Sequence, residues 1–325
     1  MAGNTTTNTG ALIRANLWSN QIKDTLIDEL AAQKYVAWMD FPDGTTWNIP
    51  SIGDLDASDY VEDTAIEYTP MDVGNFTFSI TNYKQSATYI TNAQRQDSFY
   101  SAQLEAAFVP KEERAISVAL EADILNQGQP GTPNGQTAGV ANQINGADHR
   151  WVGSDTANAV RTLGTRDFAK ARYALKKANV PDSNLIAIVD PSVEYHLATL
   201  TGLVDTTYNP KWEGIVADGI ASGMHFTRHV FGFDVYESNY LPVVAASETI
   251  TAVSSGANAT ANLFFSAAPG MEKPWVGSMR QLPSVDGEYN KDFQREEYVT
   301  TARWGVKLYR QENFCSVLTQ PNVIV

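Results

Sequence analysis

The stretch from Ser98 to Gln127, SFYSAQLEAAFVPKEERAISVALEADILNQ, constrains this chain more than any other. From Lys111 onward two apolar rows run along it. Ile116, Leu120 and Ile124 form one, and Val118, Ala122 and Leu125 lie on roughly the opposite side at about 100° per residue. A helix at a domain surface carries one apolar stripe, so two predict a helix covered from more than one direction. Pro110 precedes Lys111, Glu112 and Glu113 and reads as the first residue of a new helix. There its missing N–H costs nothing, and the carboxylates suit the positive helix end. At about 1.5 Å per residue the whole segment reaches roughly 45 Å, longer than a small domain is wide. The pattern predicts either an ordinary core helix or a spine that ties separate lobes together. The flanks decide.

Upstream, Leu12 to Trp38 carries a helical pattern, with Leu17 or Trp18, Ile22, Leu26, Ile27 and Leu30 at three- and four-residue steps. It follows a polar Thr/Asn tail and reads equally as a docking arm or as a first helix on its own domain. Asp43-Gly44 is a turn signal, and Thr45–Ile52 alternates as a strand does. An acidic stretch, Asp54 to Asp63, leads to a second strand, Asn75–Tyr83, in which Phe76, Phe78 and Ile80 alternate; Gln85–Ile90 continues it. Two strands joined by so long a polar connection make a hairpin with no core of its own. Such a loop is unusual in a compact domain unless it packs on something else.

Downstream, Gly128 to Gly153 is rich in Gly, Pro, Asn and Gln and reads as a boundary. Thr165 reads as an N-cap before a helix carrying Phe168, Ala171, Leu175 and Ala178. Leu185–Val189 is a short apolar strand, and Asp190-Pro191 opens a helix from Ser192 to Leu200. Further strands are expected at Phe231–Tyr236 and Leu263–Ala267, separated by a Ser/Ala/Thr/Gly loop from Ser247 to Ala259. Glu296–Arg310 alternates, and Phe314–Leu318 reads as its hairpin partner across Gln311-Glu312-Asn313. This succession predicts an α+β chain whose outer domain is interrupted by an α/β lobe and then resumes.

Chemistry is hard to find. The chain has 325 residues and a net charge of −14, with no basic run, which excludes general affinity for nucleic acid. The single cysteine, Cys315, sits in an apolar strand-like context and reads as a small core residue; no disulfide within the chain is possible. MAGNTTTNTG lacks the basic and apolar regions of a signal peptide, and no run of about 18 apolar residues occurs. His225 and His229 have the spacing of zinc ligands on a helix, but no Glu lies between them and Arg228 would repel a metal. His149 and His196 stand apart. Asp54, Asp56 and Asp59 lack the Gly and distal Glu of a calcium loop. The pairs Glu112/Glu113, Glu62/Asp63 and Glu296/Glu297 are adjacent in sequence and read as solvated or salt-bridged surface. No phosphate-binding, dinucleotide or nucleophile motif is present. The expectation is no catalytic residues, no cofactor, no metal site and no enzymatic activity.

The order of parts carries a resemblance. Phe168-Ala-Lys-Ala-Arg-Tyr-Ala-Leu-Lys-Lys-Ala-Asn-Val-Pro, then Ala187-Ile-Val-Asp-Pro and a helix ending in Leu200, resembles the axial domain of short-tailed phage capsid proteins. Phe231-Gly-Phe-Asp-Val-Tyr-Glu-Ser-Asn-Tyr-Leu-Pro is similar to the strand that follows there. A spine with Asp123 near its end and the late strand Arg303-Trp-Gly-Val-Lys-Leu-Tyr-Arg are similar to the peripheral domain. The chain thus resembles the major capsid proteins of tailed bacteriophages, with the Hong Kong 97-type capsid fold. The resemblance implies an N-terminal arm over 1–43 and an extended two-stranded loop over 44–84. It implies a discontinuous peripheral domain over 85–160, with spine helix 98–127, and over 280–325, and an inserted axial α/β domain over 161–279.

The function implied is a virion coat that assembles in the bacterial host cytoplasm. It would build an icosahedral shell from pentamers and hexamers of itself around double-stranded DNA. Implied partners are a scaffolding protein, a portal protein and decoration proteins, with packaged DNA held only non-specifically and no membrane. Some relatives weld subunits through a Lys–Asn bond; here no lysine lies between Thr45 and Tyr83, and Lys84 sits at the loop base, so that weld is not expected. Two alternatives stay open: an encapsulin-like nanocompartment shell with the same fold, and a phage surface carbohydrate-binding module.

Overall fold

The computed structural model describes residues 32–40, 46–52, 73–97, 101–127, 149–157, 160–199, 229–244, 259–269 and 273–320, with a few single positions between them. Two sheets organise them. With strands numbered along the chain, one sheet runs β1 (Val36–Trp38), β13 (Trp275–Asn290), β14 (Arg295–Leu308), β4 (Asn82–Thr91). The other runs β5 (Arg150–Val152), β15 (Cys315–Thr319), β12 (Ala259–Ser266), β8 (Leu185–Val189), β10 (Phe233–Glu237), β9 (His229–Val230), with β11 (Val243–Val244) also on β12. β2 (Thr46–Ile52) and β3 (Val73–Ser79) pair only with each other, as do β6 (Asp155–Ala157) and β7 (Val160–Thr162). The helices are α1 (Asn92–Asp97), α2 (Ser101–Asn126), α3 (Thr165–Lys177) and α4 (Pro191–Thr199).

The central strands of the seven-stranded sheet, β8, β12 and β15, are buried on both faces, and their side chains divide between two cores. In β8, Leu185, Ala187 and Val189 point one way and Ile186 and Ile188 the other. The first group meets Phe168, Ala171, Ala174 and Leu175 of α3 and Val193 and Leu197 of α4. Those α3 positions recur at three- and four-residue steps, which gathers them on one helix face. Phe168, Phe233 and Phe264 stack edge to face at the centre, with centroids 5.1 to 6.1 Å apart. The second group joins the spine helix α2, the inner end of the four-stranded sheet, and Trp275 and Phe314. One core therefore lies between the two sheets, and α2 is built into it through Ile116, Leu120, Ile124 and Leu125.

Several expectations change. α2 continues through Pro110 as a single helix of 26 residues, with no new helix starting there. Proline removes one backbone hydrogen bond, and packing of the second half on the sheet outweighs that loss. Of its two apolar rows, Ile116, Leu120 and Ile124 are fully buried, while Val118 and Ala122 are half-buried. The helix predicted up to Trp38 gives way by Ala32 to a 3-10 turn and then to β1, which runs parallel to β13; its start lies outside the described residues. The strand expected over Asn75–Tyr83 divides near Ile80, with β3 pairing β2 and β4 pairing β14.

The predicted C-terminal hairpin does not form. β14 pairs β13 and β4, while β15 crosses to the other sheet and sits between β12 and β5. Residues 280–320 thus contribute strands to both sheets, and β13 runs through position 279. The helix from Thr165 is capped by Gly164 rather than by Thr165. The buried Asp167 carboxylate accepts from Gly164 N–H at 3.0 Å, from Ser154 N–H at 2.9 Å and from Trp151 Nε1–H at 3.1 Å, which ties α3 to β5.

Candidate assembly surfaces

The β2–β3 pair is held from three sides. At its start, Arg280 of β13 donates to Gly44 O at 3.1 Å. Along β3, Lys307 of β14 donates to Thr77 O at 2.8 Å while its ammonium lies 4.9 Å from the centroid of Phe76. Phe76 in turn meets Tyr309 edge to face at 4.9 Å. Beyond β3, Asn82 donates to Asp123 Oδ2 at 2.6 Å, and the same oxygen accepts from Trp304 Nε1–H at 3.0 Å. Asp123 thereby links the spine helix to β4 and to β14. The alternation read in the sequence is visible here: Phe78 and Ile80 are buried and Phe76 is half-buried, while Asn75 and Thr77 face outward.

The N-terminal segment is pinned to the same spine. Ala32 is fully buried, its N–H donates to Glu121 Oε1 at 2.7 Å, and Gln33 reaches Ser117 O at 3.2 Å. A carboxyl inside a helix–sheet core needs such a partner, because a polar group taken out of water without a hydrogen bond is disfavoured. Glu112, expected at the surface, is also buried and accepts from Thr300 Oγ1 at 2.8 Å. Its neighbour Glu113 is exposed, since adjacent helix positions face different ways.

The far end of the four-stranded sheet is open. Leu282 is 70% exposed and Phe293 66%. Arg295 lies 4.4 Å from the Tyr89 ring centroid and 4.7 Å from that of Phe293, and its guanidinium pairs with Glu297, holding that carboxyl below the usual carboxylate range. Arg95 pairs with Glu296, so the expected salt-bridged reading of Glu296/Glu297 holds. The sequence did not single out Leu282, Phe293, Lys307 or Tyr309. Gly305 was the available signal for the hairpin contact, because glycine inside a strand often marks a close backbone approach.

The residues weighed for chemistry do not converge. His149 is buried, donates to Phe314 O at 3.1 Å and lies 3.4 Å from Cys315 Sγ. Cys315 is in the core of β15, where burial pushes its thiol far up from the ordinary value. His196 is buried on α4; His225 and the Asp54 and Asp56 positions lie outside the described residues, and His229 opens β9. Among the described residues, no three His, Cys, Asp or Glu side chains gather as a metal would require, and no helix is long and apolar enough to cross a membrane.

What the arrangement does offer is a two-core body, a strand pair outside both sheets, a tethered N-terminal segment and an open sheet end. A family model described as phage capsid protein matches residues 100–314. The chain belongs to the phage capsid protein family. Solved capsids carry the same fold over nearly the whole length. The capsid of Ralstonia phage GP4 superposes with a TM-score of 0.66 at 11% identity, covering 95% of this chain and 96% of that one. The capsid of cyanophage P-SCSP1u gives 0.66 at 14% identity, covering 93% and 92%. That of cyanophage Pam1 gives 0.65 at 15% identity, covering 98% of each. No curated protein sequence matches. The phage capsid protein is thus a structural component of the virion, and its fold is one found in capsids.

Proposed function

We propose that this chain is the major capsid protein of a tailed bacteriophage, forming pentamers and hexamers of itself that close into an icosahedral shell around double-stranded DNA. The observation that carries this reading is the family match over residues 100–314. The β2–β3 pair, which among the described residues joins no larger sheet, supports it as the part that overlaps a neighbouring copy. In this reading the arm (1–43) lies across an adjacent subunit, and the loop (44–84) overlays another. The four-stranded sheet with α2 is the peripheral unit. The seven-stranded sheet with α3 and α4, β15 included, is the axial unit that meets its copies around five- and six-fold axes. One chain making repeated head-to-tail contacts closes into rings in this way.

The role is structural rather than enzymatic. Assembly takes place in the host cytoplasm, with a scaffolding protein, a portal and decoration proteins as partners. The charge of −14 suits an interior that holds DNA loosely, since tight phosphate binding needs clustered Lys and Arg. Negative-stain microscopy of the purified protein, alone and with a co-expressed scaffold, is the test. Closed shells, tubes or rings of five or six are expected; a protein that stays monomeric in both cases overturns the reading.

A further inference from the structure

We propose that a seat at the end of β14, made by Gly305, Lys307 and the following Tyr309, fixes the angle at which the β2–β3 pair leaves the subunit, so that Lys307 and Tyr309 are positioning residues for assembly. The inference rests on the reading of that pair as the overlapping loop. A two-stranded sheet by itself is marginal in water. Each strand here has seven residues, and among the described residues neither pairs with any other strand. Its direction must therefore come from what it touches at its base.

The base is tightly fitted. A Cβ added at Gly305 would lie 2.7 Å from Ser79 O, 3.0 Å from Ile80 Cα and 3.2 Å from Phe78 Cζ, so the backbone leaving β3 rests directly on the β14 backbone. Two residues along, Lys307 is half-buried and burial lowers its pKa, which reflects the cost of desolvating an ammonium. The Thr77 carbonyl and the Phe76 ring supply what offsets that cost. Two residues further, Tyr309 closes on the edge of Phe76, and its own N–H is fixed on Pro274 O at 2.8 Å. Residues 305, 307 and 309 share one face of an extended chain, and that face meets β3 while Arg280 of β13 holds the chain before β2.

The angle matters because error grows with length. Seven strand residues span about 23 Å, so a tilt of roughly 10° at the base moves the far end by about 4 Å. That displacement equals the whole range of an apolar contact. A loosened seat would leave each subunit folded but its loop misdirected.

The test compares Lys307→Met/Tyr309→Ala, Lys307→Arg and the unaltered protein on three readouts. These are thermal unfolding of the unassembled subunit, amide exchange over 46–52 and 73–79, and the protein concentration at which shells form. For the double variant we expect an unfolding temperature within a degree or two of the parent, hairpin exchange faster by roughly tenfold, and an assembly threshold raised about tenfold. Lys307→Arg, which keeps the donor and the cation, should behave as the parent does. Unchanged hairpin exchange in the double variant overturns the seat. Unchanged assembly despite faster exchange overturns its positioning role, and a parallel fall in unfolding temperature reduces it to ordinary stability. Exchange is read on the unassembled subunit, so it reports on the seat even if the parent protein never assembles, an outcome that would defeat the coat reading instead.

Discussion

The two large sheets solve opposite problems with the same chain. In the seven-stranded sheet, β8, β12 and β15 are buried at every position, sealed by α3 and α4 on one face and by the inter-sheet core on the other. In the four-stranded sheet, burial fades along a single strand: Trp275 to Ser278 of β13 are fully buried, while Leu282 and most residues beyond it are exposed. A sheet covered on both faces carries the stability of the subunit. A sheet covered at one end keeps the rest of its surface available for neighbours, at little cost to folding.

Substitutions test this difference directly. Phe264→Ala removes a fully buried ring that packs on both Phe168 and Phe233, and should lower stability by about 3–5 kcal/mol in chemical denaturation; a loss near zero would mean that the sealed sheet is not the main support. Next in size, Asp123→Ala strands the Asn82 amide and the Trp304 indole N–H at the junction of spine, β4 and β14. Two groups losing a charged acceptor should cost about 2–4 kcal/mol, read from the unfolding midpoint.

A smaller effect is expected at Asp182, where hydrogen bonds from Arg172 and Lys176 pull the carboxyl from 3.8 down to about 2. Because the folded-state pKa is the lower one, the contribution is present above the unfolded value and fades as pH falls from 3.8 towards 2. The unfolding temperatures of the parent and Asp182→Asn should therefore differ slightly at neutral pH and converge only as pH falls to about 2; exposure of the pair keeps the gap small. Smallest of all, Leu282→Ser on the open end should leave the isolated subunit within about 0.5 kcal/mol of the parent. A large loss there would show that the open end is structural after all.

Much of the sealed sheet was legible in the sequence, because strands buried on both faces read as short apolar runs. Leu185–Val189 was located to the residue, and Leu263–Ala267 fell within or beside β12. The spine was legible too, although Pro110 suggested a break that packing overrides. β13 escaped notice because its outer half, Gln281 to Asn290, contains Pro283, Gly287 and mostly polar side chains, the marks of a loop. The sequence of β15 reads as a strand, but its nearest neighbour in the chain is not its partner. A three-residue turn favours the nearest strand, and nothing within Cys315–Thr319 distinguishes one sheet from another. Glu112 could have been placed correctly, since it lies in the same four-residue row as Ile116, Leu120 and Ile124. Of the hairpin's supports, Phe76 and Phe78 were read from alternation. Lys307 and Arg280 could not be, because each reaches the hairpin from more than 200 residues away.

The place of β15 has a consequence for how the protein is made. It is inserted between β5 and β12, so the seven-stranded sheet stays in two pieces until Cys315 has left the ribosome. β1 likewise waits for β13, some 240 residues later. Synthesis delivers residues one at a time from the N-terminus, and here early segments have nothing complete to fold against. A nascent chain therefore cannot present a finished subunit to others growing on the same message.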